Sequence, residues 1–173
     1  MSQEAAGQRP APRTRTRGGA KAPPRNIPDP PRRILLATPA LPIADAVFDR
    51  VRDLAEPGSV VLVLGIAKVF GTSLGIPHPG LQPTKAEWEG VRTIVNDAAE
   101  RLRAEGFDTR VALSRSRNVP KMISRWAEAK RMHAIVVPDP QRHPFRRLIE
   151  GELTREISRR TVTPVHAVPV PPR

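Results

Sequence analysis

Apolar positions along the chain fall into two alternating patterns. Ile34-Leu35-Leu36-Ala37-Thr38 is a short continuous apolar run closed by Pro39 and Pro42. Such a run predicts a strand buried on both faces. From Ile43 to Glu56 the apolar residues fall at Ala44, Val47, Phe48, Val51, Leu54 and Ala55, opposite Asp45, Asp49, Arg50, Arg52 and Asp53. That is the period of an amphipathic helix. Pro57-Gly58 ends it, and Ser59 to Val69 is a second buried strand. After a loop from Phe70 to Pro83, Thr84 and Glu87 form a capping box for a long helix. Trp88, Val91, Ile94, Val95, Ala98, Ala99 and Leu102 should face inward on it, and Gly106 should end it. Asp108 to Ser114 is the third strand. Asn118 caps a third helix, with Pro120 in its first turn and Ile123, Trp126 and Ala127 toward the core. His133 to Val137 is the fourth strand. Phe145, Leu148, Ile149, Leu153 and Ile157 mark a fourth helix, and Pro164 to Val170 a fifth strand.

The order β-α-β-α-β-α-β-α-β predicts an α/β domain, with a parallel sheet covered by helices on both faces in a three-layer sandwich. Ligands in such folds sit beyond the carboxyl ends of the strands, at the topological switch point. The places to search are therefore just after Thr38, Val69, Ser114 and Val137.

Composition narrows the chemistry. The 173 residues include no Cys and no Tyr. A disulfide scaffold, a thiolate metal site and a cysteine nucleophile are thereby excluded. No apolar run reaches the roughly 20 residues that span a bilayer, and no secretory signal pattern opens the chain. A cytoplasmic protein is expected. The net charge is +12, from 29 Lys and Arg against 17 Asp and Glu. Half of it lies in residues 1–33, where eight cations face Glu4 and Asp29 among seven prolines. Ile27 is the only branched apolar residue there, so this segment is expected to be a disordered basic arm preceding the domain at 34–173. It reads either as a solvated tail or as a contact for nucleic acid or an anionic membrane surface. No aromatic is interleaved with its arginines, which speaks against single-strand stacking.

The four histidines, His78, His133, His143 and His166, have no metal-ligand spacing, and no nucleophile elbow is present. No catalytic residue and no metal site are predicted. The glycines of the 70–83 loop fit no phosphate-loop spacing. Ser114-Arg115-Ser116-Arg117, ahead of a helix start, could hold a phosphate or form a solvated turn.

The stretch from Ile135 to Val168, IVVPDPQRHPFRRLIEGELTREISRRTVTPVHAV, resembles the last third of the universal stress protein family. Phe145-Arg146-Arg147-Leu148-Ile149, Gly151 and Pro164-Val165 fall in matching register, and Arg33-Ile34-Leu35-Leu36-Ala37 is similar to the family's first strand. The resemblance implies a five-stranded sheet of order 3-2-1-4-5 and a homodimer. It also implies an ATP-binding pattern, Gly-x2-Gly-x9-Gly-Ser/Thr, whose positions fall on Pro138, Gln141, Gly151 and Glu152. Only Gly151 matches. At the end of the first strand, Ala37 and Pro39 stand in the adenosine-side region, with Pro39 where the family carries an acidic residue. Pro138 supplies no N–H, Gln141 adds a Cβ, and Glu152 sets a carboxylate beside phosphate oxygens, at a cost on the order of 1 kcal/mol. The resemblance thus implies a regulatory or binding protein without bound ATP or other cofactor, acting through an unidentified protein partner. The alternatives are an adenine-nucleotide binder with a remodelled loop and weak ATPase activity, and a nucleic-acid or membrane-surface binder working through the arm. The dimer edge implied by the family is the fifth strand, Val165, His166, Ala167 and Val168.

Overall fold

A computed structural model describes residues 27–69, 83–140 and 147–170. The elements run β1 (Arg33–Thr38), α1 (Asp45–Leu54), β2 (Val60–Lys68), α2 (Lys85–Ala104), β3 (Asp108–Ser116), α3 (Val119–Ala129), β4 (Ala134–Pro140), α4 (Arg147–Arg160) and β5 (Val165–Val170). The sheet order is β3-β2-β1-β4-β5, and every pairing is parallel. Fold class and strand order match the expectation.

Each strand alternates its side chains between two layers. Ile34 and Leu36 of β1 face α1 and α2, packing with Val47, Val51, Val61, Val63, Val95 and Leu102. Leu35 and Ala37 face the other way, packing with Leu64, Ile66, Ile123, Ile135 and Ile157 under α3 and α4. Continuous apolar runs are therefore required in the central strands, because neither face meets water. Each fully buried Leu or Ile contributes about 1.5–3 kcal/mol.

The helix ends follow local chemistry. Thr84 and Glu87 form the capping box on α2. The α2 terminus is a Schellman motif, with Phe107 N–H on Leu102 O (3.1 Å), Gly106 N–H on Arg103 O (3.0 Å) and Gly106 at φ +90°. α3 ends the same way: Met132 N–H reaches Ala127 O (2.8 Å) and Arg131 N–H reaches Glu128 O (3.1 Å). Here Arg131, not glycine, holds the left-handed position at φ +50°.

Two local expectations need correction. β3 runs on to Ser116 and β4 on to Pro140 rather than stopping at Ser114 and Val137, because β2 and β5 extend as pairing partners beside them. Trp88 and Ile94 are half-buried rather than core residues, since they lie at the flank of the α2 stripe. Trp126, half-buried, does pack against the core with Ile123 and Ala127, as expected.

Candidate functional site

The switch point lies between β1 and β4, the strands from which the chain departs in opposite directions across the sheet. Ala37, at the end of β1, is fully buried. Thr38 is also buried, and its hydroxyl donates to Leu41 O (2.7 Å) while accepting from Leu41 N–H (3.1 Å). The turn through Pro39 and Ala40, the latter at φ +57°, thus satisfies its own polar groups. The turn itself, Thr38 to Pro42, contains no carboxylate.

Across the switch point, Ile135 donates its N–H to Pro164 O (2.9 Å). Backbone polar groups in a parallel ladder alternate sides residue by residue. Odd-numbered residues of β4 therefore face β5, and even-numbered ones face β1. The β1–β4 ladder stops at Leu36↔Val136. The next donor toward β1 is at Pro138, which has no N–H. Proline chemistry thus ends one ladder of β4 while the other continues to Pro140↔Val170. Pro138 is buried in this strand. Gly151 and Glu152 lie within α4. Gln141, the loop of residues 70–82, Phe145, Arg146, His78, His143 and the arm up to residue 26 lie outside the described residues.

Two helix starts face the same pole. At α3, Asn118 Oδ1 accepts from Lys121 N–H (2.9 Å), and Ser116 Oγ accepts from Asn118 N–H (3.1 Å). Pro120 contributes no donor. At α2, Thr84 Oγ1 accepts from Glu87 N–H (3.2 Å), and Glu87 accepts from Thr84 N–H (2.7 Å). That backbone bond holds the exposed Glu87 carboxyl below its usual range. The Ser114–Arg117 segment is consequently a strand end and a capping turn.

β5 is the sheet edge beside β4. By the same parity, His166 and Val168 direct their backbone groups to β4, while Val165, Ala167 and Pro169 direct theirs to the open side. Pro169 therefore removes a donor only from the free edge. Side chains alternate too: Val168 and Val170 are buried, while Ala167 and Pro169 are exposed. His166 Nδ1 lies 3.0 Å from Arg50 Nη2 on α1. Burial, and then the Arg50 charge, hold its pKa below the ordinary histidine value. His133 Nδ1 accepts from Arg32 N–H (3.3 Å), and burial followed by the Arg33 charge shifts it the same way. Sequence reading missed the Arg50–His166 pair, whose members are 116 positions apart with no local signal. It also missed a groove of 260 Å3 on α3 lined by Met122, Arg125, Trp126, Ala129 and Lys130. The signal was present in the spacing of Met122, Trp126 and Ala129, one stripe of a helix.

Among the described residues no three His, Asp or Glu side chains gather at metal-binding range, and no helix is long and apolar enough to cross a membrane. No curated protein matches the chain. Among solved structures, a universal stress protein from Archaeoglobus fulgidus is 19% identical with a TM-score of 0.55, over 78% of this chain and 96% of that one. A universal stress protein family member from Burkholderia pseudomallei is 20% identical with a TM-score of 0.56, over 80% and 96%. The Archaeoglobus fulgidus protein in complex with dAMP is 17% identical with a TM-score of 0.50, over 78% and 95%. These likenesses concern the fold. The sequence profile described as "Universal stress protein family" matches residues 31–169, the whole sheet and all four helices except the last residue of β5, and the chain belongs to that family.

Proposed function

We propose that this protein is a regulatory or binding member of the universal stress protein family that does not hold adenine nucleotide in the family's manner. In this reading it works in the cytoplasm through protein contacts, as a dimer paired along β5. The observation that carries the reading is Pro138. It is a buried residue of β4 at the position of the first motif glycine, with no N–H to offer a phosphate. Glu152 adds a carboxylate at the motif's hydroxyl position, and Pro39 stands where an acidic residue would meet the nucleoside. A thermal-shift titration with ATP, with and without magnesium, tests it. A binder at a hundredfold excess over its Kd gains about 2.7 kcal/mol of stability. No measurable shift is expected, and a rise of several degrees overturns the reading.

The second reading is a nucleotide binder with a remodelled loop. One observation favours it: a structural neighbour of this fold was solved with dAMP. The same titration, run with dAMP and AMP beside ATP, separates the two.

A further inference from the structure

The two helical layers of the sandwich carry opposite charge. α1 and α2, with the Glu105 cap, hold eight carboxylates against six cations. Those charges are largely paired within the layer. Asp45 meets Arg101, Asp49 and Glu105 meet Arg52, Asp53 meets Arg50, and Glu89 meets Arg92. The opposite layer is cationic. α3 and its cap carry Lys121, Arg125, Lys130 and Arg131 against Glu128. Over its whole sequence α4 adds Arg147, Arg155, Arg159 and Arg160 against Glu150, Glu152 and Glu156. Among the described residues this layer has one ion pair, Arg160 with Glu156 at 3.7 Å. Repulsion within such a layer, at modest separations, is relieved by an anionic partner.

The charge surrounds an apolar feature. Met122 and Trp126, half-buried where the α3 core face meets solvent, and the exposed Ala129 line the 260 Å3 groove with Arg125 and Lys130. The Lys130 ammonium lies 5.8 Å from the centre of the Trp126 ring. Tryptophan, methionine and arginine are the residues that carry energy at protein interfaces. The groove has room for one bulky apolar side chain.

We propose that the α3–α4 layer, centred on the Trp126 groove, docks an acidic protein segment carrying an apolar anchor. Charge complementarity selects the occupant. The chain's own arm, residues 1–33, is itself basic and is repelled. The acidic α1–α2 layer of a second copy has already paired most of its carboxylates. A nucleic acid strand needs successive stacking platforms, and Trp126 is the one aromatic side chain among the described residues of this layer. The inference deepens the protein-contact part of the reading above and rests on it; it is independent of whether nucleotide binds.

The test uses the full chain carrying Trp88→Phe, so that Trp126 is its sole tryptophan. The probe is a short helical peptide of glutamate with leucines along one face. Binding with a change in Trp126 fluorescence, weakened by salt, is expected. Trp126→Ala, read by loss of binding to labelled peptide, and the exposed pair Arg125→Glu with Lys130→Glu should each weaken it about tenfold or more. The charge-reversal pair leaves the core untouched, so a folding defect in Trp126→Ala does not blunt the experiment. Equal affinity for the glutamine version of the peptide, or no binding, overturns the proposal. So does stronger binding, lost with the charge-reversal pair, to an oligothymidine strand or to phosphatidylserine vesicles. An ATP thermal shift on the same sample addresses only the nucleotide reading: stabilisation by ATP with peptide binding intact refutes that reading and leaves this inference standing.

Discussion

Arg50 and His166 join the middle of α1 to the free-edge strand β5, with Nη2 and Nδ1 3.0 Å apart. A guanidinium only donates, so Nδ1 accepts and the ring is the neutral Nε2–H tautomer. Protonation would set two cations against each other in a half-buried place. The edge strand is thus held to the helical layer by a contact that exists in one protonation state of its histidine.

Acidification is expected to destabilise the fold. The pKa values of His166 and His133 are both lowered in the native state. The unfolded chain therefore binds more protons between the folded values and about 6.5, and stability rises with pH across that window. The contribution is present above about pH 6.5 and lost as pH falls through the folded values. Denaturant midpoints at a series of pH values should fall on the acid side. His166→Gln with His133→Gln should flatten that slope, and an unchanged slope would remove both histidines from the account.

Gly65, in the middle of β2, is fixed by packing against α2. A Cβ there would lie 2.6 Å from Val91 Cγ1 and 2.7 Å from Val95 Cγ1, both core side chains. Gly65→Ala should destabilise by about 1–3 kcal/mol, as overpacking does. Adding Val91→Ala should recover part of that loss. Chemical denaturation of the single and double variants measures the coupling.

The two Schellman motifs make opposite predictions. Gly106→Ala places a side chain at φ +90°, with Pro57 Cβ 3.3 Å away, and should cost about 1–2 kcal/mol. Arg131→Gly relieves the left-handed arginine at φ +50°. After the entropy of the unfolded glycine is subtracted, a gain of about 0.5 kcal/mol remains. Thermal melts decide both, and a destabilised Arg131→Gly would count against the αL cap.

Backbone parity on β5 separates folding from pairing. Ala167 directs its N–H to the open edge, so Ala167→Pro should leave the melting curve of the domain nearly unchanged and yield monomers by light scattering at micromolar concentration. Val168 directs its N–H to β4, so Val168→Pro should cost about 1–3 kcal/mol for one orphaned buried partner. A folded Ala167→Pro dimer would move the interface off this edge.

Removing residues 1–26 should leave the domain's transition unchanged. The cut is placed there because the Arg32 and Arg33 carbonyls accept from Val60 N–H (2.9 Å) and His133 N–H (2.8 Å). Any binding to arbitrary DNA should weaken with the deletion and lose salt dependence. Undiminished binding would assign it to the folded domain.

The layered α/β architecture was legible in the sequence because its signals are local. Buried strands read as unbroken apolar runs, α1 and α2 as stripes, and Thr84, Glu87, Asn118 and Gly106 as caps whose partners lie within a few residues. The strand order came from family likeness, not from periodicity, since a parallel sheet's order is set by crossovers that leave no period in the chain. The motif positions could be counted in the sequence, but what Pro138 does could not. Only the ladder shows that its missing N–H faces β1, because parity depends on which neighbour each strand meets. The same holds for Arg50 with His166, for Gly65 under Val91, and for the contrast between an acidic layer with several internal ion pairs and a basic one with a single pair among the described residues. Charge per helix is written in the sequence. Which helices share a face, and which side chains then find partners, is decided by the handedness of the crossovers and the packing of the layers.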